Sequence, residues 1–357
     1  MLLKLYDQNK QPIVFIRKIT DLKIETDLED ADKQLSFTYL AKTHDIKNEY
    51  YIRTPTDEYV VKSIGGGKGE QQITAVLNVE ELDGQPVTTL YIQNQPLEAA
   101  SELVLEGTGW TVKIEEEELA AKVRTINISK SDVYQVCKKL ATAYFSEVYF
   151  DSLNKVVHYA TQIGEDKGAY FISGLNLTSL DISRDSTDFY TQIYPVGKDG
   201  IDIKELNNGS NLLSNFQYSS KKRTYYWEDA NYTDPAILME DARRNLDDLS
   251  KPTEAYSVGI IDLAKQSEKY EILAYGIGDT VTLIDGNTGT RTKQRIKKLT
   301  EYPDNPEKNT CEIANTVLTF EEMQKKIQEA SQIVEDLTEN TGKVVGDKIY
   351  ISVGGID

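Results

Sequence analysis

Soft metal ligands are scarce in this sequence: two histidines (His44 and His158), two cysteines (Cys137 and Cys311) and three methionines among 357 residues. So few of them exclude most transition-metal sites, and two thiols make no disulfide framework. Both cysteines are expected as reduced thiols; Cys137 falls among Val133, Val136, Leu140, Ala141 and Tyr144 at helical spacing, where a small apolar side chain packs well. Long apolar runs are missing too. No window approaches the roughly 20 apolar residues that span a bilayer, and Lys4 and Asp7 break the N-terminal run before it reaches signal-peptide length. Neither secretion by that route nor a membrane anchor is expected. Positive charge is in deficit: 40 Lys and Arg stand against 58 Asp and Glu, a net charge of -18. A protein that holds nucleic acid by neutralising phosphates is thereby disfavoured.

What is present describes a folded chain of several domains. Apolar residues make up 39% and charged residues 27%, and a prior of roughly 100 to 200 residues per domain gives two to four of them. The first 80 or so residues read as strands, with apolar and polar residues alternating in EYVVKSI and QQITAVL around a loop of Gly65, Gly66, Gly67, Lys68 and Gly69. Further on, Pro96 opens a helix whose face is Leu97, Ala100, Leu103 and Val104, and Gly107 ends it. Ser131 is the expected N-cap of a second helix running to about Phe145, followed by a hairpin around Ser152 to Asn154.

A third helix is the best marked: Asp234 caps it, Pro235 takes its first position, and Leu238, Ala242, Leu246 and Leu249 form its apolar face. Strands return in YSVGII, YEILAYG, DTVTLID, TKQRIKKLTEY and TCEIANTV. Two β-rich stretches of similar length therefore bracket the chain. Past Thr319, Phe320, Met323, Ile327, Ala330, Val334 and Leu337 alternate steps of three and four, a heptad seam too short to decide between self-association and packing on its own domain. Gly342 is expected to end that helix, leaving a short, partly strand-like tail.

Chemistry is hard to place. No G-x-S-x-G or H-E-x-x-H occurs, and the Gly65 to Gly69 run links two strands and lacks the Ser or Thr of a phosphate loop. Glu115 to Glu118 are consecutive, so their side chains diverge and the run reads as a solvated face. The segment YSSKKRTYYW joins Lys221, Lys222 and Arg223 to Tyr225, Tyr226 and Trp227, a pairing of cations with rings that suits a surface contact or a core strand beside a basic turn. The 22 tyrosines against 8 phenylalanines favour rings that become buried between subunits. No catalytic residue, metal ligand or cofactor site is assigned, and no cofactor is expected.

Four segments in order carry a resemblance: GTGW after the first helix, YTQIYPVGKDG, WEDANYTDPAILMEDARRNLDDLSKPTEAYSV, and YGIGDTVTLIDGNTGTRTKQRIKKLTEYPDNPEKNTCEIAN. They resemble the hub part of phage tail-associated proteins, the family labelled prophage endopeptidase tail. The resemblance implies a β-rich α+β fold like the tail hub of contractile phages, with two β-barrel-like domains, inserted α/β domains and a C-terminal helix. On this chain it implies a first barrel-like domain over 1–87, an α/β insertion over 88–165, a mixed segment over 166–255 with a helix near 234–249, a second barrel-like domain over 256–319, and a helix and tail over 320–357.

The function so implied is structural. A homotrimeric ring at the tail tip of a siphophage or prophage would meet the distal tail protein and the tape-measure protein, and also receptor-binding or tip proteins. It would let DNA pass without holding it, and would be assembled in the bacterial cytoplasm. Longer members append a peptidase after the hub helix, whereas this sequence stops at Asp357, so the enzymatic label is not expected to transfer. The alternatives are a tail-tip cell-wall hydrolase or endopeptidase, and a receptor (carbohydrate) binding protein.

Overall fold

The computed structural model describes residues 1–40, 44–67, 69–185, 189–230, 232–251, 253–287, 289–314 and 350–353. Strands dominate, and most belong to one sheet. Its order runs Leu177–Asp185, Thr253–Ile260, Thr310–Ala314, Thr290–Glu301, Ile19–Asp27, Asp32–Tyr39, Gln71–Leu77, Glu58–Gly65, Tyr51–Arg53, Leu3–Tyr6, Pro12–Ile16, with Thr280–Asp285 and Tyr170–Ile172 branching from Thr290–Glu301. Residues alternate between core and solvent as a pleated strand requires; in Asp32–Tyr39 the buried ones are Leu35, Phe37 and Tyr39.

The two β-rich halves meet where Thr290–Glu301 pairs with Ile19–Asp27, setting Lys298 opposite Asp27 and Leu299 opposite Thr26. The backbone N–H of Leu28 donates to the Lys297 carbonyl at 2.9 Å, and Lys298 Nζ lies 3.0 Å from Asp27 Oδ2. A seam between residues so distant in sequence is held by ladder hydrogen bonds, with the ion pair, whose lysine is half exposed, adding little. Among the described residues the main hydrogen-bonded path is open, ending at Leu177–Asp185 on one side and Pro12–Ile16 on the other.

An α/β body follows the first half. Helices Leu97–Leu105 and Val133–Tyr144 pack beside a sheet in which Thr111–Ile114 lies parallel to Val156–Ala160, itself antiparallel to Glu147–Asp151. Pro96 is the N-cap of the first helix and not its first residue, and Leu103 is only half-buried where Leu105 is buried. The second helix is capped by Asp132, whose carboxylate accepts the Gln135 N–H at 2.7 Å, while Ser131 stays in a strand opposite Val87. Tyr350–Val353 adds to the outer edge of Pro86–Pro96.

The third body is small: Gln192–Val196 between Leu213–Ser214 and Thr224–Glu228, with helix Pro235–Leu249 over one face. Asp234 caps that helix, its Oδ1 accepting the Ala236 N–H at 2.7 Å, with Pro235 next. Asp234→Ala is expected to cost about 1 kcal/mol, measurable as a lowered urea midpoint with an unchanged slope.

Segment YEILAYG is not a strand. Glu268–Leu273 turns as a 3-10 helix, with Ser267 accepting the Lys269 N–H and Leu273 buried while Ile272 faces solvent. Five apolar residues in so short a window do not separate a strand from a tight turn.

Two charge clusters fasten these bodies together. In the first, Arg295 on Thr290–Glu301 is 5% exposed and grips the Glu147 carboxylate with both terminal nitrogens, while its Nε donates to the Gly278 carbonyl at 2.8 Å and Nη2 to the Ile163 carbonyl. Gly164 and Gly278 both have positive φ, and a Cβ on either would lie 2.3 Å from backbone of the other segment. Only glycine allows that approach.

In the second cluster, Arg124 Nη2 meets Asp241 Oδ2 at 2.7 Å, joined by the Tyr232 hydroxyl at 3.0 Å. Burial raises the Asp241 pKa above the usual carboxylate range despite Arg124. Lys122, Arg124 and Arg244 surround the Phe145 ring at 4.7, 5.9 and 5.6 Å. Burial, helped by the Arg124 charge, lowers the Lys122 pKa to about 8 from 10.5. Between those two values the unfolded chain holds the proton that the folded chain has released, so stability from this group rises with pH across that window. Against Lys122→Met, which lacks the titration, the wild type is expected to gain urea resistance between pH 8 and 10; an equal response from both proteins would refute the assignment.

Candidate functional site

The basic and aromatic segment is divided by its own strand. Thr224–Glu228 lies parallel to Gln192–Val196 with Tyr226 opposite Tyr194 and Trp227 opposite Pro195. The two-residue period sends Tyr225 and Trp227 inward, against Leu238, Ala242 and Leu246 of the helix. Trp227 is 3% exposed and meets Tyr232 edge-on at 5.0 Å; burial pushes the Tyr225 hydroxyl up to about 12. Tyr226 is 76% exposed and leans on Tyr194 at 5.6 Å.

The cations separate in the same way. Arg223 lies over Phe189 and Tyr190 at 5.1 and 5.7 Å, and its carbonyl accepts the N–H groups of Thr191 and Gln192 at 3.0 Å. Lys221 and Lys222 are exposed. The outward face of the sheet thus carries Tyr194, Tyr226 and a polar ladder in which Thr224 Oγ1 donates to Gln192 Oε1 at 3.3 Å and Gln192 Nε2 to Ser214 Oγ at 3.1 Å. Rings and exposed lysines at one end suit contact with another surface; Trp227 and Tyr225 take no part in it.

The seam of Phe320, Met323, Ile327, Ala330, Val334 and Leu337 lies outside the described residues.

Both thiols are buried, Cys137 with its pKa pushed up to about 12 and Cys311 raised further, so the nucleophilic thiolate is suppressed. His158 stacks on Tyr149 at 4.3 Å with Nδ1 3.3 Å from Glu115 Oε1, and His44 is exposed. The acidic run diverges: Glu115 pairs with Lys113, Glu116 accepts the Thr161 N–H, and Glu117 and Glu118 begin a short helix. Among the described residues no three His, Cys, Asp or Glu side chains converge as a metal site. The glycine run joins the antiparallel strands Glu58–Gly65 and Gln71–Leu77, not a strand to a helix.

Sequence reasoning missed a groove of about 390 Å³ across the seam of the main sheet. Ser257, Glu312, Lys298, Asp27 and Asp32 sit opposite one another on successive strands along its floor. Asp27 holds the Lys298 pKa above its usual value. Lys298 and Lys33 stand against Glu25, Asp27, Asp32 and Glu312 in the lining, which leaves the groove acidic, and no local motif announces it because the residues come from five strands.

Residues 165–324 match the prophage endopeptidase tail family. The curated protein sequences give no match. The fold is shared with prophage tail protein gp18 from Listeria monocytogenes EGD-e, at 14% identity and a TM-score of 0.70, over 93% of this chain and all of that one. It is shared also with the 43 kDa tail protein of prophage MuSo2 from Shewanella oneidensis (13% identity, TM-score 0.61, 89% of this chain and 98% of that one) and a tail protein from Neisseria meningitidis MC58 (10%, 0.60, 88% and 96%). A family match over residues 165–324, a little under half of the chain, thus joins a β-rich fold that is shared with tail proteins along most of its length.

Proposed function

We propose that this chain is the structural hub of a siphophage or prophage tail tip, a homotrimeric ring between the sixfold tail tube with its distal tail protein and a threefold tip. The observation that carries the reading is the seam between Ile19–Asp27 and Thr290–Glu301, which fixes two β-rich halves of one chain in one sheet. Three such chains offer six β units to a sixfold partner and keep threefold symmetry on the other side. Each half would close as a barrel-like unit against its neighbours in the ring. The tape-measure protein would end inside, and DNA would leave through the lumen. An acidic lining repels phosphates and keeps DNA from sticking, a role the net charge of -18 supports. The protein would be assembled in the bacterial cytoplasm and reside at the virion tail tip.

Contact with tip or receptor-binding proteins is assigned to the open sheet face of Tyr194 and Tyr226 with Lys221 and Lys222. The buried thiols and diverging carboxylates support a structural role over a hydrolytic one. Light scattering tests the ring: the expected mass is three times the 40.3 kDa protomer. Because docking on the tail raises local concentration, images of isolated tails serve as the second readout. A monomer in solution together with tails whose tips are unchanged when the protein is left out would overturn the reading.

A further inference from the structure

The strand Pro86–Pro96 has two unequal neighbours. On its inner side Val123–Asp132 pairs with it from Pro86 to Pro96. On its outer side Tyr350–Val353 reaches only Val87, Thr89, Leu90 and Tyr91, with a register shift at Ser352 and Val353. Among the described residues no other strand pairs with that side, so without this cover Pro86–Pro96 presents a long edge whose prolines stand only at its two ends. A long edge with free backbone donors and acceptors takes up another strand, and proteins normally cover it. A four-residue donor contributes few ladder bonds, so its hold on the edge is weak.

In the sequence, 35 residues separate Ala314 from Tyr350. With the helix expected between Phe320 and Gly342 they still span up to about 75 Å, against a diameter on the order of 50 Å for a compact chain of this size. The donor strand can therefore reach the acceptor edge of another molecule as readily as its own. Exchange between copies would preserve every ladder bond and the register, so the two arrangements differ only in closure entropy. Once copies are held side by side, the effective concentration of a neighbour's strand rises to the millimolar range. We propose that the outer edge of Pro86–Pro96 is a strand-acceptor site that receives Tyr350–Val353 of a second copy in the assembled protein. This inference rests on the self-association proposed above. Each copy donates one strand and accepts one, a head-to-tail arrangement that closes in a ring.

Thr89 and Ser352 face each other in the ladder, and the native cysteines are buried, so new thiols at these positions report the pairing. Single variants T89C and S352C, carrying different tags, are mixed and oxidised at concentrations where light scattering shows a multimer. A disulfide joining the two tags is expected, with its yield falling at least tenfold when the mixture is diluted below assembly. If the multimer forms but only a double variant T89C/S352C cross-links, within one chain, exchange is refuted and the ring stands. No cross-link in either experiment refutes the register itself. If the protein is a monomer at every concentration, the same oxidation is carried out on isolated tails that contain both variants: a mixed disulfide there supports exchange, and its absence refutes exchange while the hub reading stands on the tail images.

Discussion

Replacing Arg295 by alanine is expected to lower the unfolding free energy by about 3 kcal/mol, the low end of the range for removing one partner from a buried ion pair, because the Glu147 side chain left behind is 22% exposed. The loss has three parts. The Glu147 carboxylate would keep only the Ile163 N–H at 2.7 Å, and the carbonyls of Gly278 and Ile163 would lose their shared donor in a water-poor interface. The residues involved come from the α/β body, from the connection after it and from the second β half, so no local rearrangement satisfies all of them. Arg295→Lys keeps the charge but not the planar fork, and an intermediate loss is expected. Urea is the denaturant of choice, because guanidinium would screen the pair. Gly278→Ala tests the same junction by another route: its Cβ would lie 2.3 Å from the Ile163 oxygen and its φ is +81°, so a loss comparable with that of Arg295→Ala is expected. A change below about 1 kcal/mol for Arg295→Ala would place the residue among ordinary surface substitutions and would refute the clamp.

Arg295 also shows where sequence reading stops. It lies in TKQRIKKLTEY, a run whose alternation announces a strand and whose basic residues look alike. Its partner Glu147 is 148 residues away, and nothing near either residue marks the pair. The seam between the two β halves is hidden for the same reason: register between strands at opposite ends of a chain is chosen by packing, not by local propensity. Where the determinants are local the sequence is enough. Asp234 followed by Pro235 and an apolar face of Leu238, Ala242, Leu246 and Leu249 announces a helix, and the helix begins and packs as those residues require. Asp241, on the same helix and fully buried, breaks the pattern; only its contacts with Arg124 and Tyr232 explain it. The basic and aromatic segment falls between these cases. Its composition suggests one surface, whereas its strand period divides it into a buried and an exposed half, a distinction that becomes visible only when the pairing with Gln192–Val196 is known.

That division yields the sharpest contrast among single substitutions. Trp227→Ala is expected to cost about 3–5 kcal/mol, the range for emptying a large aromatic site in a core. The ring fills the space among Tyr232, Leu238 and Ala242, and these neighbours belong to a helix and a loop that cannot collapse together to close the gap. The indole Nε1 has no hydrogen-bond partner among the described residues, so the loss arises from packing alone and Trp227→Phe should recover most of it. Tyr226→Ala, one residue earlier, is expected to change stability by less than about 0.5 kcal/mol, as substitutions at exposed positions usually do. If the open sheet face is a contact surface, Tyr226→Ala should instead weaken incorporation into tails, and Lys221→Glu with Lys222→Glu should weaken it further in a salt-dependent way. Reading both variants by urea midpoint and by the fraction of protein found in purified tails separates the two roles. A stable Trp227→Ala, or a Tyr226→Ala that unfolds, would reverse the assignment of the two faces; a Tyr226→Ala as stable and as fully incorporated as the wild type would remove the contact surface and leave the fold untouched.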